Sequence, residues 1–347
     1  MDNNEIITPN YLDTNYNWKR PLASPGSTNV DFEQRVDFTR LHHYRVSRTR
    51  KAVNDSSFGA MLCFDNNNIR YITSSVIGEW ARDKVCRYAL IAGSSEPYLW
   101  DFGSAAAHHR LFAPWLREDH CRAGMLGLRG SVPPEAGLFK SAAVEIKEVL
   151  QNEGVAEMPI GVDIVELPML FALKDAGLDI RDGQQTMLDA RQIKSMDEIT
   201  LLNMSAAMVD GVYHTIAENL KPGMRENQLV AIATKQLYEL GSDDVEAINA
   251  VSGERCSPHP HNFTDRIYRP GDQAFFDIIQ SYMGYRTCYY RTLNVGLSTP
   301  EQHDAYKQCR EWIDAAIQLV TPGMTTDKIA SIWPRAKDFG FESEMEA

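Results

Sequence analysis

The sequence predicts an α/β domain followed by an α+β domain that uses one αα unit twice. Three observations carry this expectation. Short apolar runs alternate with helical patterns as far as about Met187, the pattern of a sheet flanked by helices. Ser195-Met-Asp-Glu198 is a Ser-x-x-Glu capping box in front of a long apolar helical run, which marks the start of a second unit. Leu220-Lys-Pro222-Gly-Met224 returns as Val320-Thr-Pro322-Gly-Met324 at an offset of 100 residues, an internal echo of the kind a pseudo-symmetric fold produces.

Taken in order, residues 1–34 are polar and turn-rich and read as an N-terminal arm. Residues 35–190 are expected to form the first domain and 191–347 the second. A helix spans about 32–54, with Arg40, Arg45, Arg48 and Arg50 on its surface. Buried strands are predicted at 59–64, 70–73, 86–91, 96–100 and 160–164, and helices at 135–151 and 167–176. The capping box opens a helix over 199–220, ended by Pro222-Gly223. A second helix covers 226–240 and stops at Gly241.

The echo repeats this plan. Each Pro-Gly-Met turn follows an amphipathic helix (208–220; 309–320) and precedes another (226–240; 326–339) that runs into a glycine, Gly241 or Gly340. Strands follow the first copy at 247–251, 273–280 and 286–295. The same offset places their mates from residue 347 onward, so the protein is expected to continue by several tens of residues. A half-sheet without its mate would expose apolar surface and strand edges.

Composition narrows the function classes. A net charge of -12 and a pI near 5.3 leave no basic excess for pairing phosphates, which excludes a general nucleic-acid binder. No stretch approaches the roughly 20 apolar residues that cross a bilayer, and the N-terminus lacks the apolar core of a signal peptide. Six cysteines are scattered without a CxxC pair. Free thiols in a reducing, cytoplasmic compartment are the expectation.

Several motifs carry a resemblance. Phe64-Asp65, Asn68-Ile69-Arg70-Tyr71 and Thr73 resemble an FDxxNIRYxT signature, and Gln192-Ile-Lys194-Ser-x-Asp197-Glu198-Ile199 resembles an entry into a catalytic domain. Ser252-Gly253, Pro258-His259-Pro260-His261, Arg266 and Gly271-Asp272 resemble a histidine loop, and Gly284-Tyr285 with Arg291-Thr292 the strand pair after it. Together they resemble the creatinase/prolidase/Xaa-Pro aminopeptidase (pita-bread) superfamily, with an N-terminal domain similar to that of the dimethylsulfoniopropionate lyase branch. The resemblance covers about 35–347. It implies an α/β N-terminal domain plus an α+β pita-bread domain, the latter incomplete, and a homodimer.

The resemblance also implies site residues. In metal-dependent members two aspartates from this half join a histidine and two glutamates from the other half around two divalent ions, which activate water and polarise a carbonyl. Asp277, in the apolar run Phe275-Phe276-Asp277-Ile278-Ile279, stands at the first aspartate position; a bland reading has it held by backbone donors or an arginine. The second position, eleven residues on and three before Arg291-Thr292, is Cys288. Cys288 is either a thiolate ligand for a softer ion or a packed core thiol. Manganese, zinc, iron and no metal all stay open, since creatinases share this frame and work without metal.

His259 or His261 matches the loop histidine that contacts substrate and shuttles a proton; two solvent histidines in a Pro-rich loop are the bland alternative. Arg291 either buttresses a site carboxylate or forms a structural ion pair. Tyr285, Tyr289 and Tyr290 either wall a pocket for a cationic substrate or pack within strands. Trp80, in Glu79-Trp80-x-Arg82-Asp83-Lys84, is a pocket candidate over a partner's active site. His108-His109-Arg110 reads as a helix face rather than a ligand pair.

Three functions follow for the complete protein. The first is a hydrolase of a small peptide or amino-acid-derived substrate, as in Xaa-Pro peptidases and creatinase. The second is a dimethylsulfoniopropionate-type lyase, which abstracts a proton. The third is a non-catalytic binding protein on the same fold. The 347 residues alone are expected to be inactive, half the ligands being absent.

Overall fold

The computed structural model describes residues 35–76, 86–125, 132–258 and 260–346. The predicted arm, Trp80 and His259 lie outside the described residues. Two compact units are present. The first holds the described residues up to His214 with Ala233–Ala247 and Ile278–Tyr289. The second holds Thr215–Ile232, Ile248–Asp277 and the described residues from Tyr290 on.

In the first unit, helix α1 (Phe38–Asp55), strand β1 (Ala60–Cys63), helix α2 (Asn66–Thr73), strands β2 (Tyr88–Ala92) and β3 (Tyr98–Asp101), helix α3 (Gly103–Phe112), strand β4 (Cys121–Ala123), helix α4 (Leu138–Asn152), strand β5 (Ile160–Val162), helix α5 (Leu167–Asp175), strand β6 (Ile180–Asp182) and helix α6 (Gln184–Gln192) follow in order. Their sheet has the order β4-β3-β2-β1-β5-β6. β2 runs antiparallel to β1 and β3, and the other pairs are parallel.

Helices cover both faces, so the central strands read as continuous apolar runs rather than alternating ones. Leu62, Leu90 and Trp100 join Ile146, Leu150 and Leu173 in one core. Their neighbours Met61, Ile91 and Leu99 join Val46, Val53, Ile69, Ile72 and Met187 in the other. Successive residues of a strand therefore serve opposite cores.

One expectation is corrected. Residues 70–73 are the end of α2, not a strand. Asp65 caps that helix, its side chain accepting from the backbone N–H groups of Asn67 and Asn68. A four-residue apolar run fits either period, and the cap decides it. His109 sits on α3, as the helix-face reading requires, and is buried against Asp101 at 2.7 Å.

Downstream come helices α7 (Met196–Asn219) and α8 (Glu226–Leu240), strands β7 (Asp244–Ser252), β8 (Gln273–Tyr282) and β9 (Tyr285–Asn294), and helices α9 (Pro300–Leu319) and α10 (Thr326–Ala330). The three strands form a sheet in sequence order. The predicted capping box is present: Ser195 N donates to Glu198 Oε2 at 2.6 Å, and Glu198 N donates to Ser195 Oγ at 3.3 Å. α9 starts with a second box, Thr299 and Gln302, with Pro300 in its first turn.

The echoed turns share one geometry within the second unit. Met224 N donates to Lys221 O at 3.2 Å, and Met324 N donates to Thr321 O at 3.0 Å. Gly223 and Gly323 both take the left-handed conformation, at φ 91° and 86°, which a side chain would strain. The helices after the turns differ. α8 matches its predicted span, whereas the helix expected over 326–339 ends at Ala330 and resumes as a 3-10 turn at Ala336–Phe339. Pro334 between them cannot supply a helical N–H donor.

Two predictions follow from buried ionisable groups of the first unit. Arg87 donates to Asp101 at 3.1 Å and to Ser75 Oγ at 2.6 Å, and both charged side chains are at most 1% exposed. Arg87→Met removes one partner of a buried pair and is expected to lower the unfolding free energy by about 3–5 kcal/mol in urea titration. His42 is also buried, with Nδ1 3.1 Å from Ser74 Oγ. Burial first, then neighbouring His43, holds its imidazole down at about 4. The unfolded chain therefore takes up a proton near pH 6.5 that the folded chain refuses. Stability present above pH 6.5 is expected to fall by on the order of 3 kcal/mol as pH drops to about 4, and His42→Gln should remove that slope from pH-resolved denaturation curves.

Candidate functional site

The predicted histidine loop leaves β7 in the second unit, and two charged hubs hold it. Glu226, the first residue of α8, is fully buried. Its carboxylate accepts from Ser252 Oγ at 2.7 Å, from Arg255 Nη2 at 2.5 Å, and from the N and Oγ1 of Thr264 at 2.9 and 2.8 Å. Arg266 donates to Ser252 Oγ at 2.8 Å, to Asp272 Oδ2 at 2.6 Å and to Glu254 Oε2 at 2.9 Å. The hydrogen bond to Asp272 is the first cause holding the Arg266 guanidinium above its ordinary range. Gly253 starts the loop at φ 63°, and a Cβ there would run into the Arg266 guanidinium. Ser252-Gly253, Arg266 and Asp272 are thus brought together as parts of one turn.

The loop then runs beside β7. Ala250 N donates to Asn262 O at 3.1 Å, and Phe263 bridges to Ala250. His261 is exposed on this stretch. Asp277 lies on β8, 2% exposed, and Asn249 Nδ2 of β7 donates to its Oδ2 at 3.0 Å. Sequence reasoning did not single out Asn249. The signal was available: one amide inside the apolar run 247–251, where a buried polar group needs a partner. Glu226 was likewise passed over, being an ordinary acidic residue in the first turn of a helix by position alone.

Of the residues on β9, Arg291 is exposed and its Nη1 donates to Tyr290 O at 2.7 Å. Tyr290 stacks on Phe275 with ring centroids 5.5 Å apart. Cys288, in the first unit, is exposed. In the same unit Tyr289 donates its hydroxyl to Asp210 Oδ1 at 2.7 Å. Tyr285 is buried. Its hydroxyl receives Arg45 Nη2 at 2.5 Å and donates to Glu198 Oε1 at 3.0 Å. Burial, the largest cause, pushes this phenol up, with Arg45 opposing and Glu198 adding.

Metal chemistry needs several converging donors. Among the described residues no three His, Cys, Asp or Glu side chains form a metal-holding group. Asp277 is a hard oxygen donor on a buried strand and Cys288 a soft sulfur donor on an exposed one, two donors that suit different ions. The described residues therefore bring together no donor set fit for a two-metal centre.

Residues 200–342, under half of the chain, match Metallopeptidase family M24. The dimethylsulfoniopropionate lyase DddP of Roseovarius nubinhibens is 26% identical over 306 residues, 85% of this chain and 68% of that protein. The Xaa-Pro dipeptidase of Pyrococcus furiosus is 27% identical over 203 residues, 57% of each. Among solved structures, a prolidase from Thermococcus sibiricus superposes with a TM-score of 0.68 at 20% identity, over 84% of this chain and 76% of its own. Dipeptidase PepE from Mycobacterium ulcerans does so at 0.66 and 20% identity, over 86% and 76%. The match over residues 200–342, the fold shared with prolidases and the similarity to DddP together support the pita-bread M24 superfamily with a DddP-like relationship.

Proposed function

We propose that the protein is a hydrolase of a small peptide or amino-acid-derived substrate. The observation that carries this reading is Asp277: a carboxylate buried on β8, oriented by Asn249, inside the segment that matches the M24 family. On this reading His261 moves the proton to the leaving group, because this exposed loop histidine can reach solvent and substrate alike; His259 is the alternative by sequence position alone. Arg291 meets a substrate carboxylate, and Trp80 closes the pocket of a partner protomer in a cytoplasmic homodimer. The lyase reading keeps its place because of the relationship to DddP. On that reading a base removes the proton α to the carboxylate, the C=C bond of acrylate forms, and the C–S bond breaks with dimethyl sulfide leaving, with no water consumed.

Turnover of the intact protein, purified from the cells that make it, separates these readings. Release of proline from Xaa-Pro dipeptides is expected, without release of acrylate from dimethylsulfoniopropionate. Acrylate alone would move the assignment to the lyase. Neither product, with manganese, zinc or iron added, would leave a binding protein and sink the hydrolase.

Glu226→Ala tests whether the held loop matters. It leaves Arg255 and the Ser252 and Thr264 donors facing an empty position, at a cost of about 3–5 kcal/mol in denaturant titration. In the intact protein kcat is expected to fall further than the residual folded fraction explains, since the loop carrying His261 loses its anchor at Thr264.

A further inference from the structure

A cleft of about 600 Å³ opens within the first unit, walled by α1, α2, α6, the start of α7 and the turn between β8 and β9. Five cations line it, Arg45, Arg70, Arg191, Lys194 and Arg286, against two carboxylates, Asp189 and Glu198. Their pairing is uneven. Arg70 is matched by Asp243 at 2.6 Å and Arg286 by Glu246 at 2.7 Å. Glu198 is occupied by Ser195 N and the Tyr285 hydroxyl. Arg45 directs its donors at that same hydroxyl, and Asp189 accepts the Gln185 amide at 2.8 Å.

The rim is different. Arg191 Nε reaches only the carbonyl of Met187, at 3.3 Å, and Lys194 Nζ the carbonyl of Arg191, at 2.7 Å. Among the described residues neither meets a carboxylate. Counting Asp243 and Glu246, five cations face four carboxylates, so the cleft carries a surplus of one positive charge. Leu188 and Leu202 add apolar wall to the same cleft.

We propose that this cleft binds a small organic monocarboxylate with an apolar body. Its two oxygens take charge-assisted bonds from Arg191 and Lys194, while its body covers Leu188 and Leu202. The single surplus charge selects one negative charge over two. The volume admits a molecule larger than an inorganic ion, and the leucines gain from being covered. The site also gives Tyr285 a role other than a wall against a cation: its hydroxyl ties Arg45 and Glu198 to each other and leaves the rim cations open.

Hippurate, one carboxylate joined to an aromatic ring, is a suitable probe for calorimetric titration, with neutral hippuramide and inorganic phosphate beside it. Saturable one-to-one binding of hippurate is expected. Affinity should fall roughly tenfold or more in Arg191→Gln/Lys194→Gln, and by as much for hippuramide. Circular dichroism checks the fold of that variant, and Lys194→Gln alone, at an exposed position, should give a smaller loss in the same direction. Asp277→Asn should leave hippurate binding unchanged, which separates this cleft from the reaction proposed above. Absence of saturable binding at millimolar hippurate, equal binding of hippuramide, equal affinity in the double variant, loss of binding in Asp277→Asn, or phosphate competing as well as hippurate would each overturn the proposal.

Discussion

A carboxylate taken out of water must be met by donors or given up. Much of this chain is arranged around that constraint. Glu226 is the clearest case, with no exposed surface and four bonds arriving from Ser252, Arg255 and Thr264. Those donors sit at the start and end of the histidine loop, so satisfying one buried charge also fixes where the loop begins and returns. Asp101 plays the same part in the first unit. It collects Arg87 and His109 from the surroundings of β3 and α3 and also accepts the backbone N–H of Phe102. Asp163 does so after β5, accepting from the backbone of Phe64, Asp65 and Ile164 and from Asn68. Glu226 and Asp163 join segments that are distant in sequence, whereas Asp101 ties together residues within fourteen positions of it.

Asp277 falls under the same constraint: it is buried on β8, and Asn249 Nδ2 donates to its Oδ2 at 3.0 Å. Burial alone does not distinguish a functional acid from a structural one, since both Glu226 and Asp277 are buried. Glu226, enclosed by four donors, has its acceptor sites taken up by the loop it anchors.

The sequence made the outline of the fold legible where local and global signals agree. The capping box Ser195–Glu198, the span of α8 and the strands β8 and β9 were readable because cap chemistry, period and stop residues coincide there. Residues 70–73 misled because a short apolar run has no period of its own, and the deciding cap lay at Asp65. The helix expected over 326–339 failed at Pro334, a breaker inside the span that the echo alone had set. β6 and α6 escaped notice: three residues of strand and a polar helix carry weak periodicity. Within the site, motif order pointed to Ser252-Gly253, Arg266 and Asp272, but their common partner in Arg266 is a tertiary fact. The roles of Glu226 and Asn249 depend on which strands and loops lie beside them, and no linear pattern states that.

The same reasoning bears on how one frame supports different chemistries. Peptidases and a lyase are both similar to this chain, so the fold leaves the reaction open. What separates the reactions is whether a water is held and activated or a proton is simply removed. At the position eleven residues after Asp277, an aspartate would add a second hard, permanently acceptor-ready oxygen pair. Cys288 offers a single soft sulfur, whose donor strength depends on losing a proton. A site built with that sulfur is biased away from hard ions such as manganese and toward zinc, or toward metal-free acid–base chemistry centred on the loop histidine.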